Sequence, residues 1–235
     1  MKFKYICPIM LTIFFSFIIF AQKNLKDKRN NKPVFAKTVA KNYGLENFSK
    51  VKSIAFTFNV KFKGITKSRK WLWNVKDNYV TYWGPDNNGK QIEYVYNHSR
   101  VNKDNQNEKT IDSRFINDQY WLLFPFHLVW DKKAEITDKK MKVAPISKKK
   151  EHCLIVSYPK HAGGYTPGDA YELYVGKNNL INEWVYRPGG STKTRFPISW
   201  EKHKKYNGIL ISTEHNGKAK DFKLWFTGIS VVLDK

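Results

Sequence analysis

The chain has 235 residues, and 42 Lys and Arg against 20 Asp and Glu give it a formal net charge of +22 at pH 7. Hydrophobic residues make up 41% and aromatic residues 16% of the chain, which is enough for a core and argues against global disorder. Only six of the 42 cations are Arg. The charge allows an anionic partner such as phospholipid head groups, acidic glycans or nucleic acid. A Lys- and Asn-rich composition also follows from A/T-rich codons, and we favour this codon bias as the explanation of the charge.

Residues 1–21 have the pattern of a secretory signal peptide. Two lysines precede the apolar run ICPIMLTIFFSFIIF, and Ala21 offers a small residue for cleavage. An uncleaved anchor is the alternative, although the run is short for a membrane span. We therefore predict a periplasmic or secreted bacterial protein with a flexible leader at 22–32. Cleavage would leave Cys153 as the only cysteine, which excludes an intrachain disulfide.

The remaining residues, 33–235, are predicted to form a single, mainly β (α+β) domain. Pro33 and Gly44 bound a short amphipathic helix. Apolar residues then alternate with polar ones in SIAFTFNVKFKG, and three further strands are predicted in SRKWLWNV, NYVTYWG and QIEYVYN. The stretch 98–113 is polar and is predicted to be a loop.

A central helix is predicted from Phe115 to Phe124, where apolar residues recur on all sides. Pro125 should end or kink it, which leaves 125–130 as its exit. The segment QYWLLFPFHLVW is too short to span a bilayer, so it is either a core plug or a lid over a ligand. We favour the lid. Truncating Trp121 and Phe124 should then lower lipid retention more than stability.

Strands resume after a Lys-rich connection. They are predicted in KKEHCLIVSYP, in the hairpin DAYELYVGKNNLINEWVYR, in RFPISWEKHKKYNGILIST with its tight Asn207–Gly208 turn, and in DFKLWFTGISVVL. Roughly ten strands follow one another at hairpin spacing, which predicts antiparallel pairing.

Signatures of catalysis and metal binding are missing from the sequence. There is no phosphate-cradling glycine loop, CxxC, HExxH or GxSxG motif, and the six histidines show no ligand spacing. We interpret Cys153 as a small buried strand residue and His127 as a hydrogen-bonded histidine. Asp169 is expected to bond the backbone of its own turn, and Glu172 and Glu183 have no evident partner. We predict no catalytic residue, no metal site and no cofactor.

The order of these elements resembles that of a known superfamily. It runs from a signal and a short helix through YGLENFSKVKSIAFTFNV and a central apolar helix to a GxTPGDxYELYxxxxxLIxxWxYR-like stretch, which Gly164 to Arg187 match. The chain resembles the LolA-like superfamily of exported lipoprotein and lipid carriers, most of all uncharacterised LolA-like proteins of Bacteroidetes-type bacteria. The resemblance implies a half-open antiparallel β-barrel of roughly ten strands, with one N-terminal and one central helix capping a concavity that holds acyl chains.

The resemblance also implies a lipid or lipidated protein as partner, and the basic charge allows an anionic membrane surface as a further one. The scarcity of Arg argues against specific binding of nucleic acid. We expect a non-catalytic monomer that acts as carrier or sensor. The chain has no clear counterpart of the arginine in the cavity of the lipoprotein carrier. We therefore predict lipid binding and not specifically the transfer of lipoproteins. The predicted ligand-binding residues are Phe56, Phe58, Trp71, Trp73, Tyr82, Trp83, Tyr94, Tyr120, Trp121, Phe124 and Trp184. The alternative is a periplasmic or surface module that binds an acidic glycan or other polyanion through a basic, aromatic-rich face.

Overall fold

The computed structural model describes residues 32–160, 167–193, 195–218 and 221–234. The predicted signal peptide and the leader up to residue 31 lie outside the described residues, as does part of the loop before Pro167. The described chain is mainly β, with twelve strands in two antiparallel sheets and three α-helices. None of these helices combines the length and the apolar character needed to cross a bilayer.

The first sheet has seven strands. They are β1 Val51–Phe62, β2 Ile65–Asn74, β3 Tyr79–Pro85, β4 Gln91–Asn97, β10 Glu201–Tyr206, β11 Ile209–Asn216 and β12 Phe222–Leu233. Their spatial order is β10-β11-β12-β1-β2-β3-β4, so the last strand of the chain pairs with the first. Strand alternation points Phe56 and Phe58 of β1 inward, as predicted from the period of two.

The second sheet has five strands in sequence order: β5 Glu135–Val143, β6 Lys150–Ser157, β7 Ala170–Val175, β8 Ile181–Arg187 and β9 Phe196–Ser199. The prediction of a Lys-rich connection over 135–143 was wrong, because this segment is β5. It is an edge strand with mostly exposed side chains, so it lacks the apolar alternation of an inner strand, and its lysines suit an unpaired edge.

The chain passes from the second sheet to the first at Trp200. One strand was predicted here, but the structure has β9 and β10 on either side of that residue. The Trp200 amide donates to the Asn182 carbonyl at 2.7 Å, and Ile198 bridges to Gly217. The outermost strands are β4 and β10 in the first sheet and β5 and β9 in the second, and in the described part of the chain each forms a ladder on one side only. The two sheets therefore form an open half-barrel, as predicted.

Two short helices precede β1: α1 Val34–Asn42 and α2 Leu45–Phe48. The predicted boundaries of the first are confirmed, since α1 follows Pro33 and ends before Gly44. Gly44 has φ +99°, and a Cβ there would lie 2.1 Å from the Gly208 carbonyl oxygen. Only glycine fits, because the helix connection passes directly over the β10–β11 turn.

The central helix, α3, runs from Gln106 to Trp130 and is longer than predicted. The loop prediction was wrong over 106–113, where the Asn105 side chain caps the helix and Ile111 extends the buried stripe one turn before Phe115. Pro125 kinks the helix instead of ending it, with φ −120° and ψ 16° at Leu123. Buried side chains on both sides of the kink hold the two parts in one helix.

Candidate functional site

A cavity of about 760 Å³ lies between α3, the segment that follows it and the inner face of β7 and β8. This volume is typical of small-molecule sites, which span about 300–1,000 Å³. Seven of its 17 lining residues carry large aromatic side chains: Tyr120, Trp121, Trp130, Tyr158, Tyr171, Trp184 and Tyr186. The other lining residues are Ser113, Ile116, Asn117, Gln119, His127, Asp131, Lys132, Lys133, Ala134 and Asp169.

The sheet wall of the cavity follows from strand register. Tyr171 of β7 pairs with Tyr186 of β8, and Trp184 lies two residues earlier on the same face. The Tyr171 ring is stacked 5.4 Å from Tyr186 and lies 5.0 Å from Trp184, measured between centroids. These three rings therefore form one continuous aromatic surface.

The helix wall faces this surface. Tyr120 lies 5.7 Å from Tyr171, and Trp121 lies 4.3 Å from Trp184, again between ring centroids. Both side chains come from the turn of α3 just before the kink. The kink region of the helix thus sets how closely the two walls approach.

A chain of hydrogen bonds ties the polar ends of this wall together. The Tyr158 hydroxyl donates to Asp131 Oδ2 at 2.6 Å and also pairs with the Tyr120 hydroxyl. Asp131 Oδ1 lies 2.9 Å from His127 Nδ1. Burial raises the pKa of both Tyr120 and Tyr158, so both phenols stay neutral at neutral pH. Their hydroxyls are engaged within the protein, which leaves the ring faces toward the cavity.

Asp169 accepts hydrogen bonds at the opposite end of the sheet wall. Its Oδ2 accepts from the Tyr186 hydroxyl at 3.0 Å, and its Oδ1 accepts from the Gly189 amide at 2.7 Å, in the turn after β8. Burial and the nearby carboxylate raise the pKa of Tyr186 to about 12. At the rim, the exposed Lys132 and Lys133 follow α3 directly.

Three of the eleven predicted ligand-binding residues line the cavity: Tyr120, Trp121 and Trp184. The other eight lie elsewhere. Phe56, Phe58, Trp71, Tyr82 and Phe124 are buried core residues, Trp73 and Tyr94 are half-buried, and Trp83 is on the outer face. Trp83 pairs there with Glu93 at 2.9 Å, under the ammonium group of Lys70. The aromatic residues of β1–β4 are thus separate from the cavity.

We call the region that holds most of these eight residues the filled half. It comprises the inner faces of β1–β4 and the side of residues 106–118 of α3 that packs on them; Ser113, Ile116 and Asn117 lie on the cavity side of the same stretch. Phe115 packs 5.4 Å from Trp71, between ring centroids. Asp118 is fully buried, accepts two hydrogen bonds from Arg69 at 2.6 and 2.7 Å, and accepts a third from Trp71 at 2.9 Å. Arg69 is therefore an inward-facing arginine that sequence inspection overlooked, because the strand carries lysines on both sides of it.

Sequence reasoning missed four aromatic lining residues, which are Trp130, Tyr158, Tyr171 and Tyr186. Strand parity was the available signal, because Tyr186 lies two residues after the predicted Trp184 and therefore shares its face. Tyr171 follows from the hairpin register. Tyr158 and Asp131 follow the ends of β6 and α3, where periodicity carries no information.

The outer face of the second sheet accounts for other predicted features. Cys153 is buried there as predicted, and burial raises the pKa of its thiol to about 11. The expectation that Glu172 and Glu183 lack partners was wrong. Glu172 Oε1 accepts from Arg187 at 2.6 Å, and Glu183 accepts from backbone amides of the 146–147 turn. The described residues contain no cluster of three or more His, Cys, Asp or Glu suited to a metal ion.

No protein-family model matches the chain, and no curated protein matches it. Solved structures similar to it include a DUF1329 family protein from Desulfovibrio piger, at 9% identity over 83% of this chain and 92% of that one, with a TM-score of 0.43. A second, described as an outer membrane lipoprotein-sorting protein domain, is from Vibrio parahaemolyticus, at 9% identity over 83% and 93%, with a TM-score of 0.42. A third is a LolA superfamily protein from Nitrosomonas europaea, at 8% identity over 86% and 96%, with a TM-score of 0.47.

Proposed function

We propose that the protein binds the acyl chain of a lipid or lipidated protein in the aromatic cavity, as a carrier or sensor that breaks no bond. The observation that carries the proposal is the 760 Å³ cavity on the concave side, walled by seven aromatic rings. Tyr120, Trp121 and Trp184 are the predicted residues that we place against the ligand.

The chemistry of the wall favours an apolar ligand. The hydroxyls of Tyr120, Tyr158 and Tyr186 are already engaged by internal partners, so the ligand meets mainly ring faces. Each methylene group moved from water into such a site contributes about 0.8 kcal/mol. A chain of several methylenes therefore supplies a substantial driving force without any directed polar contact.

The rim of the cavity suits an anionic head group. Lys132 and Lys133 are exposed beside the opening, and the whole chain is strongly basic. Basic side chains near an opening attract anionic lipid head groups and anionic membrane surfaces. An exported location, predicted from residues 1–21, would bring the protein to such surfaces.

The second candidate, binding of an acidic glycan or other polyanion, fits this cavity less well. Asp131 and Asp169 line it, and their carboxylates would repel an anionic chain at close range. The feature that favours a polyanion is the high positive charge of the chain. Lysine is frequent throughout the sequence, so this charge does not mark one particular binding surface.

The test combines extraction with a blocked variant. Organic extraction of the purified protein followed by mass spectrometry should recover an acylated molecule. Ile116→Trp places a large ring in the cavity and should abolish binding of a fluorescent fatty-acyl probe. Val95→Trp, at an exposed position of the β4 edge, is the matched control and should bind like the native protein.

Two results would contradict the proposal. One is equal probe binding by the Ile116→Trp and Val95→Trp variants, which would place the probe outside the cavity. The other is absence of any acylated molecule together with saturable, chain-length-dependent binding of an acidic oligosaccharide, which would favour the second candidate.

A further inference from the structure

Three buried polar atoms behind the cavity have no hydrogen-bond partner among the described residues. They are Nε1 of Trp184, Nε1 of Trp200 and Nε2 of His215. The three side chains are only 1%, 3% and 0% exposed, so bulk water does not satisfy these groups. Buried donors and acceptors are normally paired, which makes three unpaired ones in one place a feature that calls for a partner.

These three side chains form one cluster that borders the cavity. The Trp200 ring lies 5.3 Å from Trp184 and 4.6 Å from His215, measured between centroids. Trp184 is itself part of the cavity wall. Trp184 therefore belongs to both the cavity wall and the cluster, and Trp200 and His215 lie behind it.

The hydrogen-bonding character of the cluster follows from His215. Its Nδ1 lies 3.2 Å from the Ser199 carbonyl oxygen, so Nδ1 is the protonated nitrogen and donates to it. Burial lowers the pKa of His215 to about 3, which keeps the ring neutral and leaves Nε2 as an acceptor. The indole nitrogens are donors only. The cluster therefore offers two donors and one acceptor.

Trp121 separates the cluster from the cavity. Its ring lies 4.3 Å from Trp184 and 5.5 Å from His215, and it is only half-buried. Pro125 lacks the amide that would bond the Trp121 carbonyl, so the helix is weakened at this turn. Access from the cavity to the cluster would require the Trp121 side chain to move aside.

We propose that Trp184, Trp200 and His215 form a hydroxyl-binding site at the inner end of the cavity, and that the acyl ligand carries a hydroxyl group. This inference rests on the proposed acyl-binding function. A hydroxyl oxygen accepts two hydrogen bonds and its proton donates one, which matches two indole donors and one imidazole acceptor. A carboxylate has no proton for Nε2, and an alkyl end can pair with none of the three groups.

The experiment compares dodecanol with dodecane, each as a competitor of a bound neutral dye, N-phenyl-1-naphthylamine. The readout is the ratio of the two affinities within one protein, which cancels general changes of the cavity. We expect His215→Phe and Trp200→Phe to lower the dodecanol-to-dodecane ratio by about tenfold or more, since each removes part of a buried hydrogen-bonded set. Trp225→Phe, outside the cavity lining, is the matched control and should keep the native ratio.

The outcomes separate the two proposals. The same ratio in the native protein and in all three variants would overturn the hydroxyl site. Acyl binding would still stand in that case, because dodecane displaces the dye. Failure of both competitors to displace the dye from the native protein would overturn both. If one variant does not fold, the other carries the test.

Discussion

Aromatic side chains line the inner faces of β1–β4 and of β7–β8 alike, yet α3 fills the space over the first and leaves about 760 Å³ over the second. In the filled half, Phe115 packs on Trp71, and Asp118 is bonded to Arg69 across the sheet. In the second region, which we call the cavity half, Asp131 and Asp169 bond tyrosine hydroxyls and hold their rings at the wall. A carboxylate that binds an arginine of the sheet thus anchors the helix, whereas carboxylates that bind tyrosine hydroxyls shape the cavity.

The largest expected effect tests whether the filled half anchors α3. Asp118→Asn leaves the Arg69 guanidinium partly buried without its counter-charge, and breaking a buried pair in this way costs about 3–5 kcal/mol. Urea unfolding at pH 7 should show this loss. Glu46→Gln breaks the exposed Lys41–Glu46 pair and should leave the unfolding free energy unchanged. An equal free energy of unfolding in both variants would show that the buried pair does not anchor α3.

A second prediction tests the boundary between the two regions, where Phe124 and Trp121 lie on one helix. Phe124 is fully buried and is not part of the cavity lining, so Phe124→Ala should cost about 3–5 kcal/mol of stability. Trp121→Ala should cost less stability but reduce retention of the fluorescent acyl probe more. The structure thereby separates two residues that the sequence had grouped as one lid. If both variants showed the same ratio of stability loss to binding loss, the distinction between a core residue and a cavity residue at these two positions would be wrong.

Acid should weaken the protein through His215, behind the cavity half. Its ordinary pKa is 6.5 and burial lowers it to about 3 in the folded protein, so the unfolded chain binds the extra proton first as pH falls. Stability is therefore present above pH 6.5 and is lost as pH falls toward 3, by about 3 kcal/mol between pH 6.5 and 4. Urea unfolding at several pH values measures this slope. An equally steep slope in His215→Phe would assign the acid sensitivity to another group.

The smallest effect concerns the tyrosine network of the cavity half. Tyr158→Phe removes the hydroxyl that links Asp131 to Tyr120, and loss of these bonds should cost about 1–2 kcal/mol. Acyl-probe affinity should fall as well, because the Tyr120 ring is then held less firmly. Tyr79→Phe alters a half-exposed tyrosine on β3 and is the control for the substitution itself. Native probe affinity in Tyr158→Phe would show that the network only stabilises the fold.

Local patterns predicted much of the fold. The period of two in β1 and the Asn207–Gly208 turn between β10 and β11 depend on neighbouring residues only, and the structure confirms both. The edge strand β5 was missed because few of its side chains are buried. The start of α3 at Gln106 was missed because polar residues cover most of its first turns, while Ile111 alone marks the buried face.

The sequence by itself determined the mainly β class, the antiparallel order and the presence of a central apolar helix, because alternation, turn residues and helical spacing act over a few neighbouring positions. Only the tertiary structure decided which aromatic residues became core and which became cavity wall. Trp71 and Trp184 are both inward-facing strand tryptophans, and both are almost fully buried. They differ because Phe115 and Asp118 cover the first, while the second faces the space beside the kinked turn of α3. That distinction depends on contacts between residues far apart in the chain, which no local pattern records.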